Sequence, residues 1–105
     1  MKKYISVFVT VPDKKTSKKI IDSVLGKKLA ACVSVAGGVS SFYWWKGKIE
    51  NSKELLLIMK AMKSKFRKLE KDIKENHPYD TPEIVAFDIA AANEDYLKWI
   101  EEYAK

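Results

Sequence analysis

Apolar and polar residues alternate from Tyr4 to Val11, with Ile5, Val7, Val9 and Val11 on one side and Tyr4, Ser6, Phe8 and Thr10 on the other. A period of two carried by β-branched residues predicts a strand. Pro12 and Asp13 end it, because proline cannot donate to a ladder and aspartate favours a turn or helix cap. The period then changes. Ile20, Ile21, Val24, Leu25 and Leu29 recur at helical spacing and predict an amphipathic helix, with Asp13, Thr16 or Ser17 available as its cap. Gly26, late in that helix, should cost about 1 kcal/mol relative to alanine.

Strand character returns at Ala30 to Val35, breaks at Gly37-Gly38 with the look of a bulge or bend, and resumes from Val39 to Trp45. Lys46-Gly47-Lys48 reads as a tight turn. Ile49 and the polar Glu50-Asn51-Ser52 lead to a further strand, Glu54 to Met62, completing a long hairpin. Ser64 opens a second helix with Phe66, Leu69 and Ile73 in register, and Asn76-His77-Pro78 stops it. Ile84 to Ala90 predicts a fourth strand. Asn93 then caps a last helix whose stripe is Tyr96, Leu97, Ile100 and Ala104, with Glu94 and Asp95 well placed in the first turn.

The order β-α-β-β-α-β-α predicts an α+β chain: a ferredoxin-like antiparallel sheet with an extra C-terminal helix, all within a single domain spanning 1–105. Both crossover helices fall on one sheet face, so the other should be polar if it met water. It is not. Leu55-Leu56-Leu57-Ile58-Met59 is apolar on both sides, and Tyr4, Phe8, Phe42, Trp44 and Trp45 add large rings. A second surface must be buried, either against identical chains or beneath the last helix; a closed homo-oligomer reached by the long hairpin is the simpler answer.

Composition narrows the picture. Hydrophobic residues make up 47% of the 105 residues, enough for a core. No apolar run approaches the roughly 20 residues of a membrane span. Met1-Lys2-Lys3-Tyr4-Ile5 leads into a strand and lacks the apolar stretch of a signal peptide, so a cytoplasmic setting and no membrane partner are expected. The net charge of +6 could attract nucleic acid, but the lysines flank apolar helix positions and read as solvated helix faces.

Candidate chemistry is sparse. Cys32 stands alone, among small residues of an alternating strand, and reads as an inert thiol rather than a nucleophile. His77 is the one histidine, and no triad, P-loop or dinucleotide fingerprint appears. The segment His77-Pro78-Tyr79-Asp80-Thr81-Pro82-Glu83 is the most unusual. Two prolines stiffen a loop that carries an imidazole, a phenol and carboxylates. Imidazole with carboxylate suits Cu(II) or Zn(II), which makes His77 and Glu83 candidate ligands. The plainer reading is a rigid connector in which His77 caps helix carbonyls and Tyr79 packs. At Trp44-Trp45-Lys46-Gly47-Lys48, base stacking competes with aromatics buried between subunits.

The succession Thr10-Val11-Pro12-Asp13, Ala30-Ala31-Cys32-Val33, Ser41 to Glu50, Glu54 and Lys60, His77 to Ile84, and Tyr96-Leu97-Lys98-Trp99 resembles the CutA family of divalent-cation tolerance proteins. The likeness covers essentially the whole chain. It implies a ferredoxin-like subunit in a tight homotrimer. It also implies a cytoplasmic, non-enzymatic protein tied to copper or another divalent metal ion, with no organic cofactor. The architecture is similar to that of the PII signalling proteins, which bind small ligands between subunits. His77 matches a proposed metal contact. Cys32, Lys60, Tyr79 and Trp45 fall at the implied intersubunit ligand cleft, and Phe42, Tyr43, Trp44 and Trp45 at the implied trimer interface. Val9 stands where some members carry a cysteine, Ser34 where asparagine is common, Gly37 where proline is, and Ala61 where threonine is usual. From another class, a small ferredoxin-like enzyme or nucleic-acid binder shares the fold. The RNA-domain aromatic signature is missing, however, and Arg67 is the only arginine, so nucleic acid is an unlikely partner.

Overall fold

The alternating amino-terminal segment forms strand β1 (Tyr4–Val11), and its four inward side chains are fully buried. The structure is a computed structural model that describes residues 3–105. Met1 and Lys2, read above as leading into the first strand, lie outside the described residues. Helix α1 (Lys14–Gly26) follows, then β2 (Cys32–Trp45), β3 (Lys48–Met62), a short 3-10 turn (Lys63–Lys65), α2 (Phe66–Asn76), β4 (Ile84–Asp88) and α3 (Glu94–Tyr103). The strands stand in the order β2-β3-β1-β4, and every neighbouring pair is antiparallel. This is the ferredoxin-like arrangement with the added helix.

Of the three candidate caps of α1, Asp13 takes the role, its carboxylate accepting from the Thr16 N–H at 2.8 Å. That hydrogen bond holds the Asp13 carboxyl below the usual carboxylate range. The helix ends at Gly26, not Leu29. Lys28 adopts φ 57, and the Leu29 N–H returns to the Val24 carbonyl at 2.9 Å, a Schellman closure that buries Leu29 beyond the helix. Asn93 caps α3, accepting from the Tyr96 N–H at 2.7 Å. α2 lacks a side-chain cap and enters through the 3-10 turn instead of starting at Ser64.

The core lies under α1 and α2. Ile5, Val7, Val9 and Val11 share a sheet face with Leu57, Met59 and Ala61, and Ile20, Val24, Leu69 and Ile73 close over them. Each such side chain contributes about 1.5–3 kcal/mol by leaving water.

Two strands run further than expected. β2 continues through Gly37-Gly38, where those two residues oppose Leu55 alone and Gly38 takes φ 71, a bulge rather than a break. β3 starts directly after the turn at Lys46 (φ 51) and Gly47 (φ 78), a two-residue hairpin loop with both residues left-handed. Glu50, Asn51 and Ser52 pair with Tyr43, Phe42 and Ser41 instead of forming a connector. β4 is shorter than expected and ends at Asp88, although the Ile89 N–H still reaches the Tyr4 carbonyl at 2.9 Å. β1 pairs with β3 only from Leu55 onward, so the outer part of the β2–β3 hairpin projects as a two-stranded ribbon.

The opposite sheet face carries Phe8, Leu56, Ile58, Ala36, Val85 and Phe87 by register. α3 covers only one end of it, where Ile100 and Ala104 pack on Met62 with Tyr4, Ala31 and Ile89 around them.

Candidate functional site

The loop from His77 to Glu83 faces the root of the ribbon, and the two enclose a cleft of about 730 Å³. Its lining includes Thr10 of β1, Ser41 to Trp45 of β2, Glu54 of β3, and Tyr79, Asp80, Thr81 and Glu83 of the loop. Tyr43 pairs with Glu50, Ser41 with Ser52 and Val39 with Glu54, so Tyr43 and Trp45 stand on the sheet face of Glu54. The Tyr43 hydroxyl lies 2.7 Å from Ser52 Oγ, as that placement requires. Phe42 and Trp44 alternate to the other side and are 71% and 73% exposed.

His77 organises the loop from behind the cleft. Its Nε2 donates to the Thr10 carbonyl at 2.8 Å, while Nδ1 accepts the Tyr79 N–H at 3.2 Å. These partners assign a neutral ring with its proton on Nε2. The imidazole is buried, with the Tyr79 ring 4.7 Å away. The histidine is thus a side-chain clasp between loop and β1; only its backbone N–H meets α2, at the Lys74 carbonyl.

Tyr79 in turn donates its hydroxyl to Glu54 Oε2 at 2.9 Å. Burial, and then this hydrogen bond, push the phenol up to about 12. Glu54 is only 7% exposed. It lines the cleft at the start of an otherwise apolar run, Glu54-Leu55-Leu56-Leu57-Ile58-Met59, and that isolated charge is the signal by which sequence reading could have found it. Thr10, which shares the cleft, carries no comparable signal in its alternating strand.

Among the expected site residues, Trp45, Tyr79 and Glu83 meet in this cleft, whereas Cys32 and Lys60 do not. Those two pair across β2 and β3 opposite Ser6. Lys60 lies six positions beyond Glu54, about 20 Å along β3. There Cys32 Sγ lies 3.6 Å from the Tyr96 hydroxyl. Burial first, and the thiol second, raise that phenol to about 12. Tyr96 stacks on Trp99 at 5.6 Å.

The donor set of one chain does not fit a compact metal centre. Both His77 nitrogens are committed to the backbone, and among the described residues no three His, Cys, Asp or Glu side chains converge.

The fold and cleft define a ferredoxin-like α+β protein with an added carboxy-terminal helix. The chain belongs to the CutA1 divalent ion tolerance protein family, whose profile matches residues 5–103. It is 43% identical over 97 residues, or 92% of its length, to "Protein CutA 1, chloroplastic" of Oryza sativa, and spans about half of that protein (55%). It is 42% identical over 101 residues to the "Divalent-cation tolerance protein CutA" of Pyrococcus horikoshii, covering 96% of this chain and 98% of that one. The solved "Divalent cation tolerance protein (Cut A1)" from Thermus thermophilus superposes with a TM-score of 0.94 at 38% identity, covering 97% of this chain and 99% of that one.

Proposed function

We propose that the chain serves divalent-cation tolerance as a non-catalytic homotrimer of the cytoplasm, acting by binding rather than turnover. The observation that carries this reading is uncovered apolar surface: Phe87 is 52% exposed and Val85 is open on the sheet face away from α1 and α2, and Phe42 and Trp44 are open on the other side of the ribbon. Closed assembly of identical chains covers such a surface. The ribbon residues Phe42, Tyr43, Trp44 and Trp45 then lie at the boundary between copies. The relatives' name supports a role with divalent ions, and the lone thiol Cys32 supports a reducing compartment. The donors of one chain make no compact metal site, so this reading needs donors from a second chain beside His77 and Glu83, with Cu(II) the first ion to test. Sedimentation at micromolar concentration should give the mass of three chains; the mass of one overturns the assembly. Calorimetry with Cu(II) should show binding that His77→Ala weakens, and superimposable titrations remove His77 from the account.

The cleft itself favours a second reading. A concave site of this volume with aromatic walls and a few polar groups suits a small organic molecule. That supports a ligand-sensing trimer in the manner of the PII proteins.

A further inference from the structure

The charge of the cleft runs against that of the chain. The whole sequence carries +6, yet among the described residues the lining holds the carboxylates of Glu54, Asp80 and Glu83 and no lysine or arginine. Glu54 is more than nine-tenths buried. Its Oε2 is taken by Tyr79, while among the described residues Oε1 has neither a hydrogen bond nor an ion pair. That free oxygen is not sealed from solvent, so a cation entering the cleft can reach it. A bare metal would need donors from a second chain, because among the described residues no three acidic or imidazole groups converge here. The remaining walls are aromatic apart from the hydroxyls of Thr10, Ser41 and Thr81, and ring faces attract cations that shed water easily. The chain displays this chemistry within itself: the Lys46 ammonium sits 5.8 Å from the centroid of Trp45.

We infer that the cleft binds a small organic cation, an ammonium or guanidinium on a short carbon chain, with Glu54 as its counter-ion and Tyr43 and Trp45 as its wall. The inference rests on the second reading above, that the cleft takes a small ligand. Trimer and copper are tested separately from it.

Three probes share one carbon skeleton and differ in charge: cadaverine, pentanediol and glutarate. Each is titrated calorimetrically into the full chain, and tryptophan emission is followed in a Trp99→Phe background so that Trp44 and Trp45 report. Cadaverine should bind saturably and shift the emission, with pentanediol and glutarate at least about tenfold weaker. Glu54→Gln should weaken cadaverine about tenfold or more, and Asp22→Asn, an exposed acid on α1, should leave it unchanged. Should Glu54→Gln fail to fold, Glu83→Gln on the exposed rim carries the same expectation, and the ranking of the three probes needs no variant. Glutarate binding as well as cadaverine overturns the cation while sparing the ligand cleft. Saturable binding by none of the three overturns both. Cadaverine titrations indistinguishable between Glu54→Gln and the parent chain overturn the role of Glu54.

Discussion

The two faces of the sheet are made from the same strands and behave as different materials. On one, Val7, Val9, Leu57 and Met59 are sealed beneath α1 and α2. On the other, Phe8, Leu56, Ile58, Val85 and Phe87 are equally apolar, yet α3 shelters only the far end near Met62. Side chains on a strand alternate, so both faces are encoded in one stretch of sequence, and β3 is apolar on each. The difference lies in where the covering surface comes from. The helix face finds it within the chain and contributes to folding. The open face has no such cover among the described residues, so in the proposed assembly its burial would contribute to association.

The harshest way to break that contrast is Phe87→Glu. A carboxylate in the middle of the open face should abolish the proposed trimer, leaving single chains by sedimentation with helical circular dichroism intact, since a buried unpaired charge costs several kcal/mol. Unchanged mass would mean that the face is not an interface. Leu57→Ala, on the sealed face, should instead lower folding stability by about 2–5 kcal/mol in urea. Tyr79→Phe removes the hydrogen bond to buried Glu54 and should cost about 1.5–3 kcal/mol. The Tyr79 pKa is raised in the folded chain, so its contribution is complete below about pH 10 and fades as pH climbs towards 12. An ultraviolet titration of that variant should lose one of the phenols that ionise near 12. The mildest probe is Asn93→Ala, where loss of the α3 cap should cost about 1 kcal/mol and loosen the one sheltered end of the open face.

Periodicity made most of this fold legible. The strand at Tyr4–Val11, the stripes of the helices, the caps at Asp13 and Asn93 and the hairpin turn at Lys46-Gly47 all follow from local rules. The errors arose where pairing overrides propensity. Glu50-Asn51-Ser52 is polar enough to suggest a connector, but Phe42 and Tyr43 opposite supply a ladder for it. Leu29 fits a helical stripe, yet a left-handed Lys28 carries it into the core from outside the helix. The cleft was half legible for a related reason. The proline-rich loop announces itself, whereas the contact of Glu54 with Tyr79 joins elements 25 residues apart. His77 was expected either at a metal or capping a helix with its side chain, and a sequence cannot show that its ring reaches a carbonyl on β1. Cys32 and Lys60 are real neighbours, at the opposite end of the strand from the residues grouped with them.

The extra residue at Gly37-Gly38 reverses which side of β2 each later side chain occupies. Ahead of it, Cys32, Ser34 and Ala36 share a face with Ile58; past it, Ser41, Tyr43 and Trp45 do so in place of Phe42 and Trp44. Loss of a single glycine codon would therefore only straighten the ladder, leaving one residue to face Leu55, Val39 still opposite Glu54 and each ring pair on its present side, because the Lys46-Gly47 turn pins the register from the tip. The ribbon is thus indexed from its tip, and the spare glycine is slack taken up at one joint.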